Sequence, residues 1–194
     1  MFLLCKPSSE RIKRFISAQG DLDPYDLNSR FDSMEAPRGY TADHNRIELG
    51  RGEQVFARAT AALARWEMFN MNWLELLPAD APVGKGTTVT VLVRHFGFWS
   101  LNACKIVRVI DEYGTVQKNG FVYATLPEHA EQGQERFTVE WNRDSDGVFY
   151  DILAWSRPNK VIAKLGYPFT RALQKRFARD SMQAMLRAVS GARP

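Results

Sequence analysis

A chain of 194 residues with 45% hydrophobic and 12% aromatic side chains can bury one sizeable core, which argues against disorder over most of its length. Its net charge of +4 tolerates an anionic partner, but it is too weak to argue for nucleic acid, and no aromatic–basic interleaving suggests a base-stacking platform. Two cysteines, Cys5 and Cys104, are too few for a disulfide scaffold and favour a reducing cytoplasm.

The apolar opening Phe2–Cys5 is shorter than the roughly seven residues an export signal needs, and no basic residue precedes it. No stretch approaches the about 18 apolar residues of a membrane span. A cytoplasmic protein without an integral membrane segment is expected. A first helix is predicted over Ser9–Gln19, capped by Ser8 or Ser9 and ended by Gly20, with Ile12, Phe15 and Ile16 on one face. The following run, GDLDPYDLNSRFDSMEAPRGYTADHN, reads as an extended surface connection. Tyr25, Leu27, Phe31 and Tyr40 are its candidate anchors.

A short strand at Arg46–Leu49 leads through Gly50 and Gly52 into a second helix. Val55, Phe56, Ala59, Ala62, Leu63 and Trp66 recur there at helical spacing. The pattern then turns to strands: Asn72–Leu77, Thr87–His95, Leu101–Ile110, Gly120–Thr125, Glu135–Trp141 and Val148–Trp155. Turn signals separate them at Pro82 to Gly86, Glu112 to Gly114, Lys118 to Gly120 and Asp146-Gly147. Consecutive strands with short turns make an antiparallel meander. A long helix follows from about Pro168 to Val189, its buried stripe formed by Phe169, Leu173, Phe177, Ser181, Ala184 and Ala188. Arg171, Lys175, Arg176, Arg179 and Arg187 lie largely off that stripe.

One domain over residues 1–194 is expected, with the N-terminal helix and connection in 1–43 and the core in 44–194. The class is α+β: a curved antiparallel sheet covered by the C-terminal helix, with an extra N-terminal helix. This order resembles the helix-grip fold of the START-like, or Bet v 1-like, superfamily, in which a cavity often separates sheet and helix. The strings KPSSERIKRFISAQGDL, GYTADHNRIELGRG, NWLELLPADAPVGKGTTV, RHFGFWSLNACKIVRVIDE, YATLPEHAEQGQERFTVEW and YDILAWSRP resemble successive blocks of the uncharacterised protein family UPF0548 (DUF1990). The resemblance spans nearly the whole chain and carries a fold, but no catalytic residues. Ala124 and Glu128 stand where that family usually has glycine, so neither position demands a glycine-only backbone. That counts against a phosphate loop of bare backbone.

The segment HFGFWSLNAC, His95 to Cys104, gathers the most chemistry. Alternation puts His95 on the face of Val89, Val91 and Val93, pointing inward, with Thr88, Thr90 and Arg94 on the other. A satisfied structural histidine is the plain reading, and a ligand-contacting or acid–base histidine the sharper one. Gly97 marks a bend, and Ser100 reads as a turn residue because it lacks a nucleophile's glycine-flanked elbow. Cys104 reads as a small buried hydrophobe. His44, His95 and His129 are too dispersed for a zinc site, so no metal and no cofactor are expected. Phe137, Val139 and Trp141 share one face of their strand, and Arg136, Thr138 and Glu140 the other. A functional account of that block sets His129 and Glu131 at a cavity rim and gives Arg136 a polar headgroup.

The preferred reading is a binding module for a small apolar or amphipathic ligand, lipid included, held between sheet and terminal helix. His95, Trp99, Tyr123, Trp141, Tyr150 and Trp73 are the candidate contacts, since a mostly apolar pocket needs a few polar tips. The basic face of the last helix adds weak contact with anionic membrane, about 1 kcal/mol per exposed charge. Two alternatives stand beside it. One is a cyclase- or hydrolase-type enzyme using His95 as acid/base, assisted by Glu75 or another cavity carboxylate. The other is a scaffold with a filled core and an exposed apolar patch.

Overall fold

Ser8 starts the first helix through its hydroxyl. A computed structural model, which describes residues 1–25, 35–95, 97–159 and 167–191, places α1 at Ser9–Gly20 with Ser8 Oγ accepting from the Arg11 amide. Gly20 is the last helical residue and Asp21 the C-cap, one step beyond the expected end. The apolar opening forms strand β1 (Phe2–Leu3), paired with Ser100 and Trp99.

The sheet comprises β1, β2 (Thr41–Arg51), β3 (Leu74–Leu77), β4 (Thr88–Arg94), β5 (Trp99–Glu112), β6 (Val116–Thr125), β7 (Glu131–Asn142) and β8 (Gly147–Pro158). From β3 to β8 each strand lies beside the next, and β2 adds to the outer edge of β8. β2 runs well past the expected Arg46–Leu49. Its first residues are polar and alternate with solvent, so backbone pairing with β8 extends the strand where no apolar pattern announces it.

The expected turn at Lys118 to Gly120 lies inside β6. Gly120 is there because β7 passes so close that a Cβ would fall 2.0 Å from the Phe137 carbonyl oxygen. Gly133 on β7 meets the same constraint, 2.0 Å from the carbonyl oxygen of Trp155 on β8. Both glycines mark close backbone approach where the sheet coils tightly.

The sheet's inner face carries the main core, in which Phe121, Phe137, Tyr150 and Ile152 are almost wholly buried. Each such side chain contributes about 1.5–3 kcal/mol. Two helices cover it: α2 (Glu53–Ala64), begun at Gly52 with φ 86°, and α3 (Tyr167–Ser190). Trp66 follows α2 in the left-handed region, at φ 59°, and its indole N–H donates to the Ala81 carbonyl at 2.8 Å.

The C-terminal half of α3 is held fast. Ala184, Met185 and Val189 are buried, Ser181 lies 3.0 Å from the Tyr150 hydroxyl, and Arg58 donates to the Val189 carbonyl. Its first turns are looser: Phe169, placed on the buried stripe by helical spacing, is 45% exposed, because a cavity opens beneath this end.

On the outer face, α1 packs Ile12 and Phe15 with Leu92, Leu101 and Ala103. Ala36 and Tyr40 pack with Val122, Leu153 and Trp155, so this part of the connection does lie against the domain. The anchors Leu27 and Phe31 fall outside the described residues. The architecture is the helix-grip arrangement: a curled antiparallel sheet closed by the terminal helix. Among the described residues, no helix is long and apolar enough to cross a membrane.

Candidate functional site

Between the sheet's inner face and the start of α3 lies an open cavity of about 320 Å³. Phe69, Trp73, Val91, Val93, Leu173 and Phe177 supply much of its apolar wall. The interior is therefore not the filled one that a scaffold reading required.

Its polar groups fall into two sets. The first sits where β4 meets β5. The register pairs Val93 with Ser100, which folds His95 back over the start of β5. His95 Nε2 lies 2.8 Å from Ser100 Oγ, which accepts from the Asn102 side-chain Nδ2 at 2.9 Å. The imidazole stacks on Phe98 at 4.3 Å, and its buried Nδ1 has no hydrogen-bond partner among the described residues. Burial lowers the His95 pKa, so the ring is neutral near pH 7. Ser100 is thus a strand residue on the cavity wall, not the turn residue its sequence context suggests, and Gly97 lies in the bend, at φ +83°.

The second set is acidic. Asp43 on β2, Glu131 and Glu135 on β7 all line the cavity. Arg171 of α3 pairs with Asp43 through both carboxylate oxygens. Gln174 donates to Glu131 at 2.7 and 2.8 Å, and the Tyr123 hydroxyl donates to Glu135 Oε2 at 2.7 Å. Burial pushes the carboxyls of Glu131 and Glu135 up to about 7 each. His129, enclosed beside them, is pushed down to about 4, first by burial. Its Nδ1 accepts the Glu131 amide.

A native carboxyl titrating near 7 keeps its proton where the unfolded chain, titrating near 4.5, has released it. Stability from this group is therefore full below pH 4.5 and lost as pH rises through 7. Glu135→Gln, which keeps the acceptor for Tyr123, should remove that loss. Relative to its value at pH 4.5, the difference in unfolding free energy should favour the variant by about 2–3 kcal/mol at pH 8. Urea unfolding of both proteins across that range measures it, and a flat difference would rule out a buried protonated Glu135.

Three of the expected contacts, His95, Tyr123 and Trp73, line the cavity. Trp73 is fixed there by its indole N–H on Asp180 at 3.0 Å and by Arg176 over its face. Trp99, Trp141 and Tyr150 do not reach it. Trp99 packs on the outer-face cluster under Lys6, and Trp141 packs on Phe56 and donates to Asp146. Tyr150 is buried in the main core, on Ser181. Arg136 points to the opposite face of β7, where it bonds Asp151, so it holds no headgroup in this cavity. Glu75 is half exposed at the edge and pairs with Lys6, away from His95. Cys104 is buried in the core, its thiol pKa raised first by burial. Among the described residues, no group of His, Cys, Asp and Glu is arranged to hold a metal ion.

Comparison with known proteins gives the chain its place. The family model described as "Domain of unknown function (DUF1990)" matches residues 26–184. The chain belongs to the DUF1990 family. Among its DUF1990 relatives, a "UPF0548 protein" of Dictyostelium discoideum is 34% identical, over 97% of this chain and 96% of that one. A "UPF0548 protein" of Arabidopsis thaliana is 30% identical, over 95% and 96%. A hypothetical protein of Helicobacter pylori superposes on this DUF1990 chain with a TM-score of 0.50 at 13% identity, covering 85% of this chain and 99% of that one. At that identity the likeness speaks for the fold alone.

Proposed function

We propose that this DUF1990 protein binds a small amphipathic molecule in the cavity between its sheet and α3. The observation that carries the reading is the cavity itself: about 320 Å³, walled by aliphatic and aromatic side chains, with polar groups gathered in two places. That combination suits a ligand with an apolar body and a polar end. Trp73, Phe177 and Val91 would cover the body, and His95 and Tyr123 would contact polar atoms. Affinity would come from apolar burial, at about 25 cal/mol per Å² removed from water.

Ala154 lies on the cavity floor, between Asp43 and Glu135 in the pairing of β2, β8 and β7. Ala154→Phe fills that space. The uncharged probe N-phenyl-1-naphthylamine should brighten on binding the wild-type chain and bind the variant at least tenfold more weakly. Overpacking costs about 1–3 kcal/mol, so urea unfolding should show the variant still folded. A folded wild-type chain that leaves the probe dark, or a variant that binds equally well, overturns the reading.

A further inference from the structure

We propose that the ligand carries a positive charge: it is an amphipathic amine or ammonium whose head sits against the carboxylates of Glu135 and Glu131, with its chain under α3. This deepens the binding reading above and rests on it.

The charge of the wall is opposite to that of the chain. Lysine and arginine make up 26 of 194 residues, yet among the described residues none lines the cavity, whereas Asp43, Glu131 and Glu135 all do. Asp43 already has its cation in Arg171. The other two carboxylates are held by neutral donors, Gln174 on Glu131 and Tyr123 on Glu135. Among the described residues only one oxygen of Glu135 accepts a side-chain hydrogen bond, which leaves the other for a donor that these residues do not supply. Neither cavity histidine provides the missing charge, since burial favours the neutral ring in both.

The sheet register leaves room for a head group at this point. Asp43, Ala154, Glu135 and Tyr123 form one row across β2, β8, β7 and β6, and the small side chain of Ala154 separates the two acids. A primary ammonium has three donors and a full charge, which fits a free carboxylate oxygen beside a second acid. An anionic head would meet like charge, and an uncharged head would leave the Glu135 carboxylate without a cation.

Binding would also be linked to protons. The groups around Glu135 are Tyr123 from β6, Cys104 from β5, Tyr150 from β8, Glu131 on β7 and Asp43 from β2, with Arg171 of α3 acting on Glu131. Of these, Glu131 and Glu135 titrate near neutrality. Their ionised forms favour a cation, so affinity should fall as pH drops from 8 to 6.

Calorimetric titration of the full chain with octylammonium, 1-octanol and octanoate tests this, because the three share one tail. At pH 8 octylammonium should bind at least tenfold more tightly than octanol, and octanoate more weakly than either. Lowering the pH to 6 should weaken octylammonium several-fold and leave octanol unchanged. Glu135→Gln should cost octylammonium about tenfold with octanol again unchanged, and Glu131→Gln should act in the same direction. Octanol or octanoate binding as tightly as octylammonium overturns the charge assignment while sparing the cavity reading, and so does indifference to both substitutions. Binding of none of the three overturns the cavity reading itself, and the assignment with it.

Discussion

Gly133→Ala is expected to destabilise the protein by about 4 kcal/mol or more, enough to unfold a domain of ordinary stability. An added Cβ would lie 2.0 Å from the Trp155 carbonyl oxygen, 2.9 Å from the Ser156 Cα and 3.0 Å from the Trp155 carbonyl carbon. All three are backbone atoms of β8, so no side-chain rotation relieves the clash. The strands must separate, and the β7–β8 ladder spans Glu131 to Trp141. Separation there also disturbs the cavity, because Gly133 stands between Glu131 and Glu135 on its wall. Gly84→Ala is the control: its Cβ would meet only Thr87 Oγ1, at 3.7 Å, an ordinary contact. Urea unfolding should show the control within about 0.5 kcal/mol of wild type and the Gly133 variant unfolded or nearly so. A Gly133 variant as stable as the control would mean that β7 and β8 are not so close.

How much of this could be read from the sequence depended on which strands have an apolar face. Val89, Val91 and Val93 put β4 in register with the core, and His95 followed onto the cavity wall by parity. The acidic set was within reach of the same rule. Phe137, Val139 and Trp141 point inward, and counting back by twos passes through Glu135, Gly133 and Glu131. Glu131 lies at the cavity, as the rim reading of His129 and Glu131 expects, whereas Glu135 opens the expected strand with no apolar residue two places before it to mark its face. Asp43 was hidden in the same way, since Ile47 and Leu49 continue inward through Asn45 and Asp43 once β2 is allowed to start at Thr41. Ser100 was not accessible by counting, because its closeness to His95 comes from the Val93–Ser100 pairing across a bend. Trp99 illustrates the converse. It is a large aromatic in a strand, but with parity opposite to Ser100 and Asn102 it goes to the other face. Aromatic content shows that a side chain will be covered without showing by which layer.

Asp151→Ala should cost about 3–5 kcal/mol, the loss expected when one partner of a buried ion pair is removed. The Asp151 side chain is 2% exposed on the outer face of β8. It accepts from Arg136 at 2.9 Å and Arg46 at 3.2 Å, and lies 2.6 Å from His44 Nε2. Arg46 keeps a second carboxylate, Glu140 at 2.6 Å, which Lys118 also reaches. Arg136, with 15% of its side chain exposed, would lose this carboxylate, and so would His44. Burial alone would raise the Asp151 pKa, but the hydrogen bonds from His44 and Arg136 and their charges outweigh it and bring it below the ordinary carboxylate value of 3.8. A depressed native pKa contributes stability that is complete above the unfolded value and is lost as pH falls through the native one. The gap between wild type and Asp151→Asn should accordingly be full at pH 6 and shrink below about pH 4. Urea unfolding at both pH values measures it. A gap that persists undiminished into acid would show that shape, and not charge, is what Asp151 contributes to the outer face.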